Sequence, residues 1–233
     1  MFQSGGPSLV ELVQQGLSST VHGYDLLAPK FEHTPFRTPD DVLDRVVEVL
    51  RRDAPFGDVI DLCCGTGAAT AAVRPLCERV TGIDFSEGML GEARARLGPD
   101  PDVRFVHGDV FEADLGGPYD LAVCFGALGH VERHRQPAFL AAVRRSLRPG
   151  GRFVFVTHTV PPWTSPTRWA AEGFNAVMRA RNAVIRPEFI MYYLIFCVPE
   201  VLPTLESAGF QATVTPLGLP RAKRFVIVDA LAV

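Results

Sequence analysis

Between residues 59 and 156 short apolar runs with strand character, at 58–62, 79–84, 103–108, 119–125 and 152–157, alternate with stretches of helical periodicity. Such alternation is the pattern of successive strand–helix–strand units, and it builds a mainly parallel sheet covered by helices. The intervening helices start near Ala68, Ser86 and Arg135. Ser86 suits an N-cap: Met89, Leu90, Ala93 and Leu97 follow at helical spacing, and Gly98-Pro99 stops the run. Phe139, Leu140, Ala142, Val143 and Leu147 form the same kind of apolar stripe before Arg148-Pro149-Gly150-Gly151, which breaks into the next strand.

The ends of the chain leave this pattern. Two helices are expected at 8–19 and 39–52, the second opened by Thr38-Pro39-Asp40-Asp41 with a cap, an early proline and acids at the positive helix end. Between them the stretch 24–37, rich in aromatics and prolines, reads as a lid. After the fifth strand, Pro161-Pro162-Trp163-Thr164-Ser165-Pro166 imposes an extended break, and 167–183 reads as a helix carrying Trp169, Phe174, Val177 and Met178. A last helix at 199–208, closed by Gly209, precedes strands at 211–216 and 224–231, close enough to pair antiparallel. At 233 residues one large core is the expectation. The fold expected is α/β: a Rossmann-like, doubly wound seven-stranded sheet, mostly parallel with a C-terminal antiparallel hairpin, plus a helical cap. The expected divisions of this single domain are N-terminal helices and lid at 1–56, core at 57–158, cap insertion at 159–198, and last helix and hairpin at 199–233.

A net charge of −3 gives no clustered positive field for nucleic acid, so small-molecule partners are expected. The opening MFQSGGPSLVELVQQ has no secretory pattern, and the most apolar late run, 189–198, is far shorter than the roughly 20 residues that span a bilayer. Five cysteines at 63, 64, 77, 124 and 197 lack disulfide-framework spacing and read as reduced thiols, so a cytoplasmic location is expected. No metal is expected either, because Cys63-Cys64 lacks the two-residue gap of a chelating pair and no second pair stands at ligand spacing.

Four stretches at strand ends carry the chemistry. Asp61-Leu62-Cys63-Cys64-Gly65-Thr66-Gly67 turns a strand into a helix through glycines, a context in which backbone approaches a ligand and the helix start favours negative charge. Asp84 ends the second strand, 23 residues after Asp61, where a carboxylate can accept both hydroxyls of a ribose. Gly108-Asp109-Val110 ends the third, where the acid can accept from an adenine amino group, and the stretch Phe125-Gly126-Ala127-Leu128-Gly129-His130 follows the fourth. Open α/β sheets bind ligands at this edge.

Together these stations resemble the class I S-adenosylmethionine-dependent methyltransferases over roughly residues 55–233, and more loosely the ubiquinone/menaquinone-biosynthesis type and its small-molecule relatives. The resemblance implies S-adenosyl-L-methionine as cofactor, with Asp61, Cys63, Gly65, Thr66 and Gly67 forming the methionine-side loop. Cys63 departs from the family pattern by standing in a glycine slot, and Cys64 is expected to pack behind the loop. Asp84 would hold the ribose, Phe85, Met89, Asp109 and Val110 the adenine, and Phe125 would begin the loop beside it. Tyr24, with His33 and Arg37, would cover the methionine end. His130 and His158 stand where a general base for the acceptor would be, although each can equally be a hydrogen-bonded residue shaping its loop. Met191, Tyr192, Tyr193 and Phe196 either pack on the core or line an apolar acceptor site. The implied reaction is O-, N- or C-methylation of a small, partly apolar acceptor. A catalytically silent cofactor-binding protein and a nicotinamide oxidoreductase are the rivals; the second expects a third glycine where Thr70 stands.

Overall fold

The computed structural model describes residues 5–233; the first four, part of the expected 1–56 segment, lie outside the described residues. Three helices come first: α1 (Leu9–Leu17), α2 (Thr20–Leu27) and, after a short 3₁₀ turn at Ala28–His33, α3 (Asp40–Leu50). The helix expected at 8–19 therefore ends early. Ser18 is extended, and Ser19 accepts from His22 N–H at 3.1 Å to cap α2, so paired serines divide one periodic stretch into two helices. The lid expected at 24–37 consequently starts inside α2. At α3 the cap position is Pro39, without a side-chain cap bond, rather than Thr38.

The core then runs β1 (Phe56–Leu62), α4 (Ala68–Val73), β2 (Cys77–Asp84), α5 (Glu87–Leu97), β3 (Val103–His107), β4 (Tyr119–Cys124), α6 (Gln136–Ser146), β5 (Leu147–His158), α7 (Pro166–Val184), α8 (Leu202–Ser207), β6 (Phe210–Pro216) and β7 (Phe225–Ala232). The sheet order is β3-β2-β1-β4-β5-β7-β6, with β7 antiparallel to both its neighbours. This is the doubly wound, seven-stranded arrangement expected. Arg148-Pro149-Gly150-Gly151 sits within β5 as an irregularity, since pairing with β4 jumps from Tyr119↔Leu147 to Leu121↔Arg152. The glycines there let the strand bulge instead of ending it.

Apolar clusters lie on both faces of the sheet. One joins Ile60, Cys124, Phe153 and Phe155 to Phe139, Leu140 and Val143 of α6 and to Leu205 of α8. The other joins Val59, Val80, Val123 and Ile227 to Val42, Val46 and Leu50 of α3 and to Val73 of α4. Chain order reverses between β1 and β4, which opens a crevice at the carboxyl ends of those strands.

A cap covers the crevice. Met178 of α7 packs with Phe189, Tyr192 and Ile195 and against Tyr24, while Trp169 and Val177, on the same helix, face solvent. Residues 189–196 form neither helix nor strand, so they need other partners for their backbone. Two asparagines of α7 supply them. Asn175 donates to Tyr193 O and accepts from Tyr193 N–H, both at 2.8 Å; Asn182 donates to Phe189 O at 3.1 Å and accepts from its N–H at 3.0 Å. Each amide imitates a peptide and holds this strap one heptad apart along the helix. Asn182→Ala leaves a buried N–H and C=O of Phe189 unpaired and should cost about 1–3 kcal/mol in denaturant unfolding; a loss below about 0.5 kcal/mol, ordinary for a surface change, would refute the clamp.

Candidate functional site

The loop after β1 is built around left-handed backbone at Cys63 (φ 56°), Gly65 (54°) and Gly67 (74°). Gly67 is required twice over, because a Cβ there would come within 2.9 Å of Ala93 Cβ on α5; its role is to seat the loop on that helix, and it does not line the cavity below. A Cβ on Gly65 would meet nothing within 4 Å and would point into open space. Cys63 holds the same kind of backbone with a side chain, at a cost of roughly 1–2 kcal/mol for an L-residue. Its thiol faces that of Cys124, and this contact, with burial, pushes its pKa well above the ordinary thiol range. It is therefore no thiolate nucleophile. Cys64 is buried against β2, with its Sγ only 2.9 Å from where a Cβ on Gly82 would stand, and it also reaches the cavity wall.

Asp61 is fully enclosed at the end of β1 and accepts from Thr70 Oγ1 at 2.6 Å. Burial raises its pKa to about 7, and the Asp84 carboxylate adds to the effect. Thr70 thus occupies the position of a third dinucleotide glycine with a hydroxyl that orients an acid. Asp84 accepts from Gly65 N–H through Oδ2 and from Ser86 N–H through Oδ1, each at 2.9 Å. A carboxylate offers about four lone-pair positions, so each oxygen retains one beyond these bonds, and Asp84 lies on the cavity wall. Phe85 and Met89 stand beside it on the cavity wall. Asp109 and Val110 do not line the cavity; Asp109 accepts from Phe111 N–H at 2.9 Å and caps its own turn, and Val110 is buried in the core.

The N-terminal segment closes over this edge through two latches. Asp25 accepts from Ser86 Oγ at 2.6 Å and from Gly88 N–H at 3.0 Å, joining α2 to the start of α5. Glu32 accepts from Thr66 Oγ1 at 2.6 Å and pairs with Arg96 at 2.8 Å, while Arg96 also donates to Thr66 O. Burial alone would raise the Glu32 pKa, but the bonds from Thr66 and Arg96 outweigh it and hold it below the ordinary value. Arg37 lines the cavity and pairs with Asp40, with Glu32 further off; His33 is not on the wall.

The resulting cavity is about 550 Å³, within the usual range for small-molecule sites. It brings together Tyr24, Asp61, Cys63, Gly65, Thr66, Asp84, Phe85, Met89, Phe125, His130 and His158 of the expected residues, and Met191, Tyr192, Tyr193 and Phe196 line it as well. Of these four, Tyr192 and Phe196 are also buried in apolar clusters and Met191 packs against one, whereas Tyr193 is exposed. Tyr24 Oη lies 2.8 Å from His130 Nε2, and His130 Nδ1 bonds to Ile190 O. His158 lies 3.8 Å from Cys197 Sγ and stacks on Phe225. Burial lowers the pKa of both histidines.

Residues 59–151 match a family model described as a methyltransferase domain. That segment of the chain is similar to a methyltransferase domain. Over 128 residues it is 38% identical to a demethylmenaquinone methyltransferase of Clavibacter sepedonicus, covering 52% of this chain and 48% of that protein. Over 109 residues it is 38% identical to a trans-aconitate 2-methyltransferase of Deinococcus radiodurans, covering 46% and 40%. The matched segment thus spans about half the length of these curated relatives or less. Among solved structures, the DhpI–SAH complex superimposes with a TM-score of 0.69 at 22% identity, over 96% of this chain and 98% of that one. The matched segment contains the glycine loop and both acids, whereas the cap residues of the cavity lie outside it.

Asp25, Glu32, Arg96, Asn175 and Asn182 escape a sequence reading because their partners are distant. The one local sign was two asparagines on the face of α7 that also carries Met178. Asp61 gives a signed prediction. Its proton is held more tightly folded than unfolded, so the associated stability is complete below about pH 4 and is lost as the pH rises through about 7. Asp61→Asn, which cannot ionise, should therefore gain on the parent chain in unfolding free energy between pH 4 and 8, at about 1.4 kcal/mol per pKa unit. Parallel pH profiles would rule this out.

Proposed function

We propose that this chain is an S-adenosylmethionine-dependent methyltransferase acting on an O, N or C nucleophile of a small, partly apolar acceptor. The observation that carries this reading is one cavity that holds Asp61, Gly65, Asp84, Phe85 and Met89 on one side and the aromatic strap on the other. The residues fit the cofactor. Open space over Gly65 leaves room for a ligand against the loop, and Asp84 keeps unused lone pairs for ribose hydroxyls. Phe85 and Met89 would flank the adenine; Asp109 and Val110 would support its edge through the 108–113 turn. Asp61, Thr66 and the lid residues Tyr24 and Arg37 would enclose the methionine end. Bound there, S-adenosylmethionine supplies an electrophilic methyl group on a sulfonium, with a neutral thioether as leaving group.

The chain works in this reading as one domain: 1–56 and 159–198 form lid and cap, 57–158 holds the cofactor, and 199–233 completes the sheet. The cap would exclude water and choose the acceptor. Among the described residues no helix is long and apolar enough to cross a membrane, and the reading assigns the protein to the cytoplasm with small-molecule partners.

Calorimetry with S-adenosylhomocysteine and with NAD tests the cofactor. The thioether should bind and NAD should not, and Asp84→Ala should weaken the thioether at least tenfold; tight NAD binding alone would sink the reading. Incubation with methyl-labelled cofactor and a panel of quinols, phenols and amines separates an enzyme from a silent binder, which would yield no labelled product. Cys63→Gly relieves left-handed strain of roughly 1–2 kcal/mol while loosening the unfolded chain by about 0.4–1 kcal/mol. Its stability should rise by between roughly 0 and 1.6 kcal/mol, with thioether affinity retained or raised; a large loss of affinity would place the Cys63 thiol on the ligand.

A further inference from the structure

Tyr24 stands where the two halves of the cavity meet. Its ring sits edge-on to Phe85 on the nucleoside side (6.2 Å, 85°) and stacks on Phe189 of the strap (6.3 Å, 11°). Its hydroxyl is 2.8 Å from His130 Nε2. The direction of that bond is fixed from behind. His130 Nδ1 bonds to Ile190 O, and a carbonyl oxygen can only accept, so Nδ1 carries the ring proton of the neutral imidazole. Nε2 then offers a lone pair, and Tyr24 must donate to it. With its hydrogen turned toward His130, Tyr24 Oη presents only lone pairs to the cavity.

Burial keeps both partners neutral at rest. It raises the Tyr24 pKa, helped by the Asp84 charge, and lowers that of His130. The strap holds the arrangement, since Ile190 N–H donates to Thr20 Oγ1 at 2.8 Å and Tyr192 N–H donates to Gly129 O at 2.8 Å, next to His130.

We propose that Tyr24 and His130 form a two-residue proton relay that deprotonates a neutral hydroxyl or amine of the acceptor, Tyr24 as the catalytic group and His130 as the terminal proton store. This rests on the methyl-transfer reading of the cavity. The acceptor's O–H or N–H bond breaks as its proton passes to Tyr24 Oη, and Tyr24's own O–H proton passes to His130 Nε2. The electron pair freed on the acceptor forms the new bond to the methyl carbon, and the pair of the broken S–C bond stays on sulfur. One positive charge is lost at the sulfonium and one appears on the imidazolium, whose Nδ1–H still faces Ile190 O. The net charge of the closed site does not change. An acceptor attacking through a carboxylate has no proton to give and would meet only lone pairs at Tyr24, so the class selected is a phenol, alcohol or amine on an apolar body.

Two measurements test the relay. In ¹⁵N-histidine spectra of the parent protein with S-adenosylhomocysteine at neutral pH, the His130 signal, assigned by its loss in His130→Gln, should show a neutral ring protonated on Nδ1. Tyr24→Phe should move its Nε2 resonance toward that of a free ring nitrogen. An imidazolium, an Nε2–H tautomer or an unmoved resonance overturns the proposal whether or not turnover is seen. With methyl-labelled cofactor and the phenol or amine turned over fastest in the panel, Tyr24→Phe should lower kcat by roughly 100-fold or more while the thioether affinity stays within a few-fold. His130→Gln can still accept from Tyr24 but cannot store a proton, so it should lose kcat comparably; parent-like kcat in either variant overturns the relay. Failure of the parent to bind the thioether at all would instead remove the cofactor reading beneath it.

Discussion

The carboxylate of Asp84 gathers backbone N–H groups from two separate turns, Gly65 after β1 and Ser86 before α5, each at 2.9 Å. Charge-assisted bonds of this kind are about twice as strong as neutral ones, and here they are made in a buried setting where water does not compete. Burial raises the Asp84 pKa, and the two N–H groups work against that rise. The same Ser86 carries the bond to Asp25 of α2. Loop, core helix and lid are therefore referenced to a single acid, and that acid is left in a defined orientation on the cavity wall.

The sheet, the positions of Asp61 and Asp84 at strand ends and the C-terminal hairpin were legible in the sequence because each is written in a local pattern. Strand periodicity gives β1 to β5, a serine cap gives α5, and Asp61 and Asp84 announce themselves by standing at strand ends. Where local signals compete, the sequence misleads by small amounts. The stripe at 8–19 is continuous, yet Ser18 and Ser19 turn their hydroxyls on the backbone and divide it. Gly150 and Gly151 look like a break ahead of a strand but are absorbed as a bulge within β5, which starts earlier, at Leu147.

The cap was legible only in outline, for a different reason. Its order comes from side chains that bond to backbone far away in sequence: Asn175 and Asn182 to the strap, Glu32 to Thr66, His130 to Ile190. No periodicity announces such pairs. Tyr24 shows the same limit, since its place over the cofactor end was expected from resemblance, whereas its bond to His130 depends on where the strap puts one carbonyl oxygen. Gly67 is the converse case, a motif residue whose small size serves packing on Ala93 rather than ligand contact.

The asparagine clamps separate the path of the strap from its lining. Because Asn175 and Asn182 grip peptide groups, the route of residues 189–193 is held at Phe189 and Tyr193 by bonds that do not involve those residues' side chains, while Phe189 and Tyr192 add buried packing. Met191 and Tyr193 can be exchanged for other shapes while the clamped peptides keep their place, and in the proposed reading a change in acceptor preference is then open to substitution without redesign of the sheet or of the glycine loop. In the proposed methyl-transfer reading, a scaffold of this kind would let selection explore the identity of the substrate in one short segment, at little risk to the glycine loop and its acids.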